Sequence, residues 1–209
     1  MDVIIFDLDN TLYAPERELF SLIDVRINRY MREVVGIAAS EVDGLRRAYW
    51  AKYGVTLGGL MRHYGVDPED YLEYVHDVDV HSRLVPDPEL RAALQALEGT
   101  KVVFTNGSRG HAERVLGALG LADQFSAIFD IRVADYRPKP YVDPYQAVLR
   151  RLGVEGARCV MVEDSPTNLE TAKTLGMRTV LVGDALRAPY VDACVARAEQ
   201  AAQLIGGWQ

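Results

Sequence analysis

Short, nearly unbroken apolar runs alternate along the chain with longer stretches in which apolar residues recur every three or four positions. That alternation predicts a parallel sheet covered by helices. The strand candidates are residues 3–6, 101–104, 127–131, 159–162 and 179–182. Asp87-Pro88, Asp143-Pro144 and Ser165-Pro166 each join a capping residue to a proline suited to the first helical position, and Gly176 closes the last of these helices. Residues 14–86 follow a different rule, because they hold no strand-like run and keep a helical period throughout. Leu19, Ile23, Ile27, Tyr30, Met31 and Val34 form one helical face, and Gly54, Gly58-Gly59 and Gly65 mark turns that divide the remainder. An insert of roughly 70 residues is too long for a connection inside an α/β unit, so it is expected to be a second, smaller domain. The expected fold is α/β: a doubly wound, Rossmann-like parallel sheet core formed by residues 1–13 and 87–209, with a helical cap inserted at 14–86.

Composition narrows the chemistry. The chain has 209 residues, 49% of them hydrophobic and 25% charged, which is ample for an ordered core. A net charge of −7 leaves no basic stripe for a nucleic acid polymer. No apolar run nears the roughly 20 residues of a membrane span, and residues 1–6 are too short for a signal peptide, so no membrane partner and a cytoplasmic location are expected. Cys159 and Cys194, without a secretory signal or metal-type spacing, are expected to stay reduced. An anionic substrate would then need a metal or a local cation.

Two acidic pairs supply the candidate chemistry. Asp7 and Asp9 follow the first strand run, and Glu163-Asp164 follow the run at 159–162. Both pairs therefore sit at the carboxyl edge of a parallel sheet, where open α/β folds bind ligands. Acids emerging from apolar strands pay desolvation and repel one another, and a divalent oxygen-seeking ion such as Mg²⁺ relieves both costs. Thr105-Asn106-Gly107-Ser108 offers a hydroxyl, a carboxamide and backbone N–H groups ahead of a helix starting near Arg109, which suits an anion. Lys139 stands between two prolines, and no glycine-rich phosphate loop is present to take its place.

In this order, Asp7-Leu8-Asp9-Asn10-Thr11, Thr105-Asn106-Gly107, Lys139 and Glu163-Asp164-Ser165 resemble the four motifs of the haloacid dehalogenase superfamily. Asp-Leu-Asp-Asn-Thr-Leu-Tyr, Tyr53-Gly54 through Gly59-Leu60, Val75-His76-Asp77, and Phe104 to Ser108 followed by His111-Ala112 look more narrowly like its pyrimidine 5′-nucleotidase branch. The resemblance implies a doubly wound core with a helical cap and hydrolysis of a small phosphate monoester, most specifically a nucleoside monophosphate. It implies Asp7 as nucleophile, forming an aspartyl phosphate, and Asp9 as the acid that protonates the leaving oxygen and then the base that activates water. Thr105, Asn106 and Lys139 would bind phosphate. Mg²⁺ would be held by Asp7, Asp164, Glu163 and the carbonyl of Asp9. Tyr13, Thr56, His63, His76 and His111 are the candidates for substrate contact.

Other classes remain beside this one. A dehalogenase needs neither Asp9 nor the Glu163-Asp164 pair, which argues against it. A phosphatase of another small ester such as a sugar phosphate, or a phosphomutase, shares every motif. A regulatory module on a dead scaffold would be expected to have lost one of the charged residues, and none is missing.

Overall fold

The computed structural model describes residues 2–208; Met1 and Gln209, assigned above to the core, lie outside the described residues. Strand β1 (Val3–Phe6) is followed by four helices in succession: α1 (Leu19–Glu33), α2 (Ala39–Tyr53), α3 (Thr56–Tyr64) and α4 (Pro68–His76). The chain then alternates through α5 (Pro88–Ala96), β2 (Thr100–Phe104), α6 (Arg109–Ala118), β3 (Ala127–Phe129), α7 (Val142–Leu152), β4 (Cys159–Glu163), α8 (Pro166–Thr174), β5 (Arg178–Val182), β6 (Ala193–Val195) and α9 (Ala198–Gly206). All six strands pair in parallel, in the order β3-β2-β1-β4-β5-β6. Because β1 lies centrally between β2 and β4, the loops after these three strands open side by side at one edge.

Each face of the sheet has its own apolar layer. Ile4, Phe6, Val160 and Val162 pack with α5, α6 and α9 on one side; Val3, Ile5, Phe104 and Met161 pack with α7 and α8 on the other. Alternation along β1 feeds both layers, so all four of its residues are buried. A third cluster joins α1 to α4 through Ile23, Tyr30, Met31, Leu60 and Leu72, together with Ile131 from beyond β3.

Several sequence expectations change. Gly58 and Gly59 do not make a turn but lie inside α3, where a Cβ on Gly59 would stand 2.1 Å from the Tyr49 ring. They are glycines because α2 and α3 approach closely; Gly54 and Gly65, at φ +80° and +65°, do end their helices. Val34 is 53% exposed, since α1 stops at Glu33. The third strand ends at Phe129 because the Asp130 carboxylate accepts from the backbone N–H of Arg109 and Arg132, starting a turn. Asp143-Pro144 lies inside the first turn of α7, whose N-cap is Tyr141. Ser165 occupies the N-cap of α8, yet its hydroxyl pairs with that of Thr167 and not with a backbone N–H. Both cysteines are free thiols, and no helix of the described residues is long and apolar enough to cross a membrane.

One close approach fixes the ground beneath the second acidic pair. A Cβ on Gly156, ahead of β4, would lie 1.9 Å from the Leu175 carbonyl oxygen, a backbone atom with little room to yield. Gly156→Ala is therefore expected to cost about 3 kcal/mol, at the upper end of overpacking costs. Gly44→Ala, in open space within α2, should instead gain up to about 1 kcal/mol from helix propensity. Urea melts of the two variants check the opposite signs.

Candidate active site

Asp7 is the first residue past β1, and its backbone N–H donates to Val162 O at 2.9 Å, so the sheet register itself fixes where its carboxylate emerges. The residue is 7% exposed. Its Oδ1 accepts from Lys139 Nζ at 2.6 Å and its Oδ2 from the Thr11 hydroxyl at 3.0 Å. Lys139 Nζ also donates to Phe104 O at 2.8 Å and to Glu163 Oε2 at 2.7 Å. Those three bonds use every N–H of the ammonium. In this geometry Lys139 orients Asp7 and sets a positive charge beside the cavity that both residues line.

Asn106 holds the lysine loop. Its Oδ1 accepts the Lys139 N–H at 2.7 Å and its Nδ2 donates to the Lys139 carbonyl at 3.1 Å. The Asn106 carboxamide is thus committed to the backbone of Lys139, and the backbone N–H near Asn106, the group expected to hold phosphate, is not part of that pairing. Gly54 approaches the same loop, and a Cβ there would meet Pro138 at 3.0 Å. Thr105 Oγ1 accepts the Gly107 N–H at 2.9 Å, which leaves its own hydroxyl proton to donate into the cavity that Thr105 lines.

Asp7, Glu163 and Asp164 each bring an oxygen within 4.8 Å of the others. Burial, then the Glu163 charge, pushes Asp7 up to about 7. Burial likewise lifts Glu163 to about 7 against the pull of Lys139, and it raises Asp164. One ammonium thus faces three carboxylates, all oxygen donors, and a hard divalent cation such as Mg²⁺ fits that imbalance. Glu163, like Asp7, has both oxygens engaged: Oε2 takes Lys139 and Oε1 takes the Ser165 N–H at 3.2 Å. The Asp9 carboxylate is not in this group.

Asp9 turns elsewhere. Its Oδ1 accepts from the Tyr13 hydroxyl at 2.6 Å and from His111 Nε2 at 2.8 Å. Burial raises its proton affinity, but the His111 charge and the His111 and Tyr13 hydrogen bonds outweigh that and hold Asp9 below the usual carboxylate range. An anion brought into the cavity that Asp9 lines would oppose this by like-charge repulsion and favour the protonated acid.

The remaining candidates divide. Thr56 and His76 line the cavity beside Asp7, about 710 Å³ in volume. His63 lies outside it, exposed, stacked on Tyr49 and bonded to the Tyr53 hydroxyl at 2.8 Å. Tyr13 and His111 are buried against Asp9 and do not line that cavity. Not foreseen from the sequence are Thr11, which bonds the Asp7 carboxylate, and Phe20, Arg46 and Trp50, which line the cavity from α1 and α2. A polar residue four positions after Asp7 was a usable signal for Thr11; nothing local marks the other three.

The profile of the haloacid dehalogenase-like hydrolases matches residues 1–176, and the chain belongs to that family. It is 32% identical over 203 residues to a phosphoglycolate phosphatase of Rhodospirillum rubrum, covering 86% of this chain and 78% of that one. It is 27% identical over 196 residues to phosphate metabolism protein 8 of Saccharomyces cerevisiae; the match takes in 86% of this chain but only 60% of the yeast protein. Among solved structures, a HAD phosphatase from Thermococcus onnurineus superposes over 99% of both chains with a TM-score of 0.67 at 20% identity, which shows a shared fold.

Proposed function

We propose that the chain is a Mg²⁺-dependent phosphatase that hydrolyses nucleoside 5′-monophosphates, pyrimidine nucleotides first, through an aspartyl phosphate on Asp7. The observation that carries the phosphatase reading is the convergence of Asp7, Glu163 and Asp164, at adjoining strand ends, with Lys139 from the loop before α7. Asp7 attacks phosphorus while Asp9 gives a proton to the leaving oxygen; Asp9 then takes a proton from the water that cleaves the acyl phosphate. The Thr105 hydroxyl and the positive charge of Lys139 favour the transferring oxygens. Asp7, Asp164 and the carbonyl of Asp9 would hold Mg²⁺, with Glu163 beside them, and the ion would neutralise charge between the dianion and the carboxylates.

Residues 14–86 act in this reading as the cap that selects the leaving group. Phe20 and Trp50 line the cavity while 40% and 67% exposed, two aromatic side chains with surface open to solvent. Flat apolar surfaces of this kind suit a nucleobase better than a two-carbon acid. A second reading has its own observation. Arg46 lines the same cavity; its terminal nitrogens bond Asn28 and Asp24, but its buried Nε has no hydrogen-bond partner among the described residues and is a donor that would take the carboxylate of phosphoglycolate, the ester named by the Rhodospirillum relative.

A panel of UMP, CMP, AMP, GMP, phosphoglycolate and a hexose phosphate decides between them by kcat/KM. UMP and CMP are expected to lead, and Trp50→Ala should cut their kcat/KM by roughly tenfold, the scale of one lost stacking contact. Phosphoglycolate in the lead, with Arg46→Ala removing its advantage, would replace the nucleotide reading.

A further inference from the structure

The two donors on Asp9 come from different parts of the chain. Tyr13 lies four residues on in the loop after β1, 6% exposed, while His111 lies in the first turn of α6 and is fully buried. Both reach the same oxygen, Oδ1. Among the described residues the side-chain hydrogen bonds of Asp9 fall on Oδ1 and none on Oδ2, and Asp9 lines the cavity. An acid that must also serve as a base needs one oxygen that anchors and one that exchanges protons. Here Oδ1 accepts from Tyr13 and His111 whether or not Oδ2 carries a proton, so the anchor is not broken when the proton moves.

The anchor is tied to the helical insert. His76, the last residue of α4, stacks on His111 with ring centroids 4.6 Å apart and planes 20° apart. Its Nδ1 lies 2.9 Å from Leu72 O, an acceptor only, so Nδ1 carries the proton, and it also lies 3.1 Å from the Ser108 hydroxyl. Ser108 in turn caps α6 by accepting the His111 N–H at 3.3 Å. The backbone of His76 is held as well, its carbonyl accepting from Arg114 at 2.8 Å. The imidazole that grips Asp9 is thus fixed on one face by a residue of α4 and at its own backbone by the hydroxyl that residue contacts.

We propose that Tyr13 and His111 are positioning residues for Asp9, aiming Oδ2 at the ester oxygen, and that His76 links this aim to the seating of α4 on the core. The proposal rests on the reading of Asp9 as acid and base. It differs from a merely structural role in one respect: its loss must depend on how much the leaving group needs a proton.

The test measures pre-steady-state bursts with UMP, whose alkoxide needs that proton, and with p-nitrophenyl phosphate, whose phenolate departs with little help. The burst isolates the first step, since breakdown of the acyl phosphate also uses Asp9. His111→Asn is expected to slow the UMP burst by roughly 10²-fold, the lower range of general acid contributions, and the p-nitrophenyl phosphate burst by about threefold or less. Tyr13→Phe, which keeps the ring and loses only the hydroxyl, should show the same asymmetry at roughly tenfold and guards against a His111 variant that fails to fold. Adding His111→Asn to Asp9→Asn should slow the UMP burst no further, because there is no acid left to aim. Equal losses for the two esters in both variants, or a full additional loss in the Asp9→Asn background, would overturn the proposal while Asp9→Asn remains selective for UMP. If Asp9→Asn itself slows both esters alike, the reading of Asp9 as the acid falls, and the positioning role falls with it.

Discussion

Asp7→Asn is expected to lower turnover of every phosphate monoester by roughly four to six orders of magnitude, whatever the leaving group, because it removes the attacking oxygen from a set of residues that act as one unit. The fold should survive. Asp7 is buried beside Glu163 and carries a proton affinity raised to about 7 by burial and by that neighbour, so a neutral carboxamide relieves repulsion and leaves Lys139 paired with Glu163. The variant should therefore melt at or above the temperature of the parent protein while being inactive, and a melting curve beside a phosphate-release assay separates lost chemistry from lost structure. Residual activity within tenfold of the parent would remove Asp7 from the nucleophile's role.

Exhaustive chelation is expected to have the second largest effect, a fall of about 10³-fold or more in kcat, the equivalent of several kcal/mol of charge stabilisation. Mg²⁺ should restore activity and Ca²⁺ should not, because Ca²⁺ takes more ligands at longer and more variable distances than a compact octahedral site allows. Asp164→Asn should raise the Mg²⁺ concentration needed for half-maximal activity more than Glu163→Gln does. The two Glu163 oxygens already accept from Lys139 and Ser165, whereas on Asp164 the Thr11 hydroxyl reaches Oδ1 only at 3.5 Å. Calorimetric titration of each variant with Mg²⁺ gives the ranking without relying on activity; equal shifts, or a larger one for Glu163→Gln, would reverse the assignment of ligands.

The sheet was readable because its strands are buried on both faces. Runs such as Val3–Phe6 and Cys159–Glu163 have no polar alternation to blur them, and acids placed directly after them mark where the carboxyl edge opens. The edge strand β6 escaped because three residues, Ala-Cys-Val, all only partly buried, make no run at all. α9 escaped with it, because its N-cap is Arg197 and neither a capping side chain nor a proline marks its start. Gly58-Gly59 misled because a turn glycine and a helix-contact glycine look alike until the neighbouring Tyr49 ring is in place.

The site followed the same division. Asp7, Glu163 and Asp164 were legible as candidates because acids beside apolar strands need a reason, and Lys139 because two prolines flank it. The roles of Asn106, Tyr13 and His111 were not, since each is set by a partner distant in sequence or by a carboxylate whose orientation only the fold decides: Asn106 by the backbone of Lys139 33 positions away, His111 by Asp9 102 positions away. Arg46, Phe20 and Trp50 belong to helical faces that read as surface until the cavity gives them something to face.

The central claim is that hydrolysis proceeds through a phosphoryl group carried on Asp7, and acid quenching tests it directly. The protein is mixed with Mg²⁺ and UMP, or with p-nitrophenyl phosphate as the faster donor, quenched in acid on the millisecond scale, and digested for mass spectrometry. The expected result is one phosphoryl group on the peptide bearing Asp7, labile to hydroxylamine as an acyl phosphate must be, and absent in Asp7→Asn. A protein that turns over these esters with no phosphoryl group on that peptide at any quench time, or with one on another residue, would contradict the account.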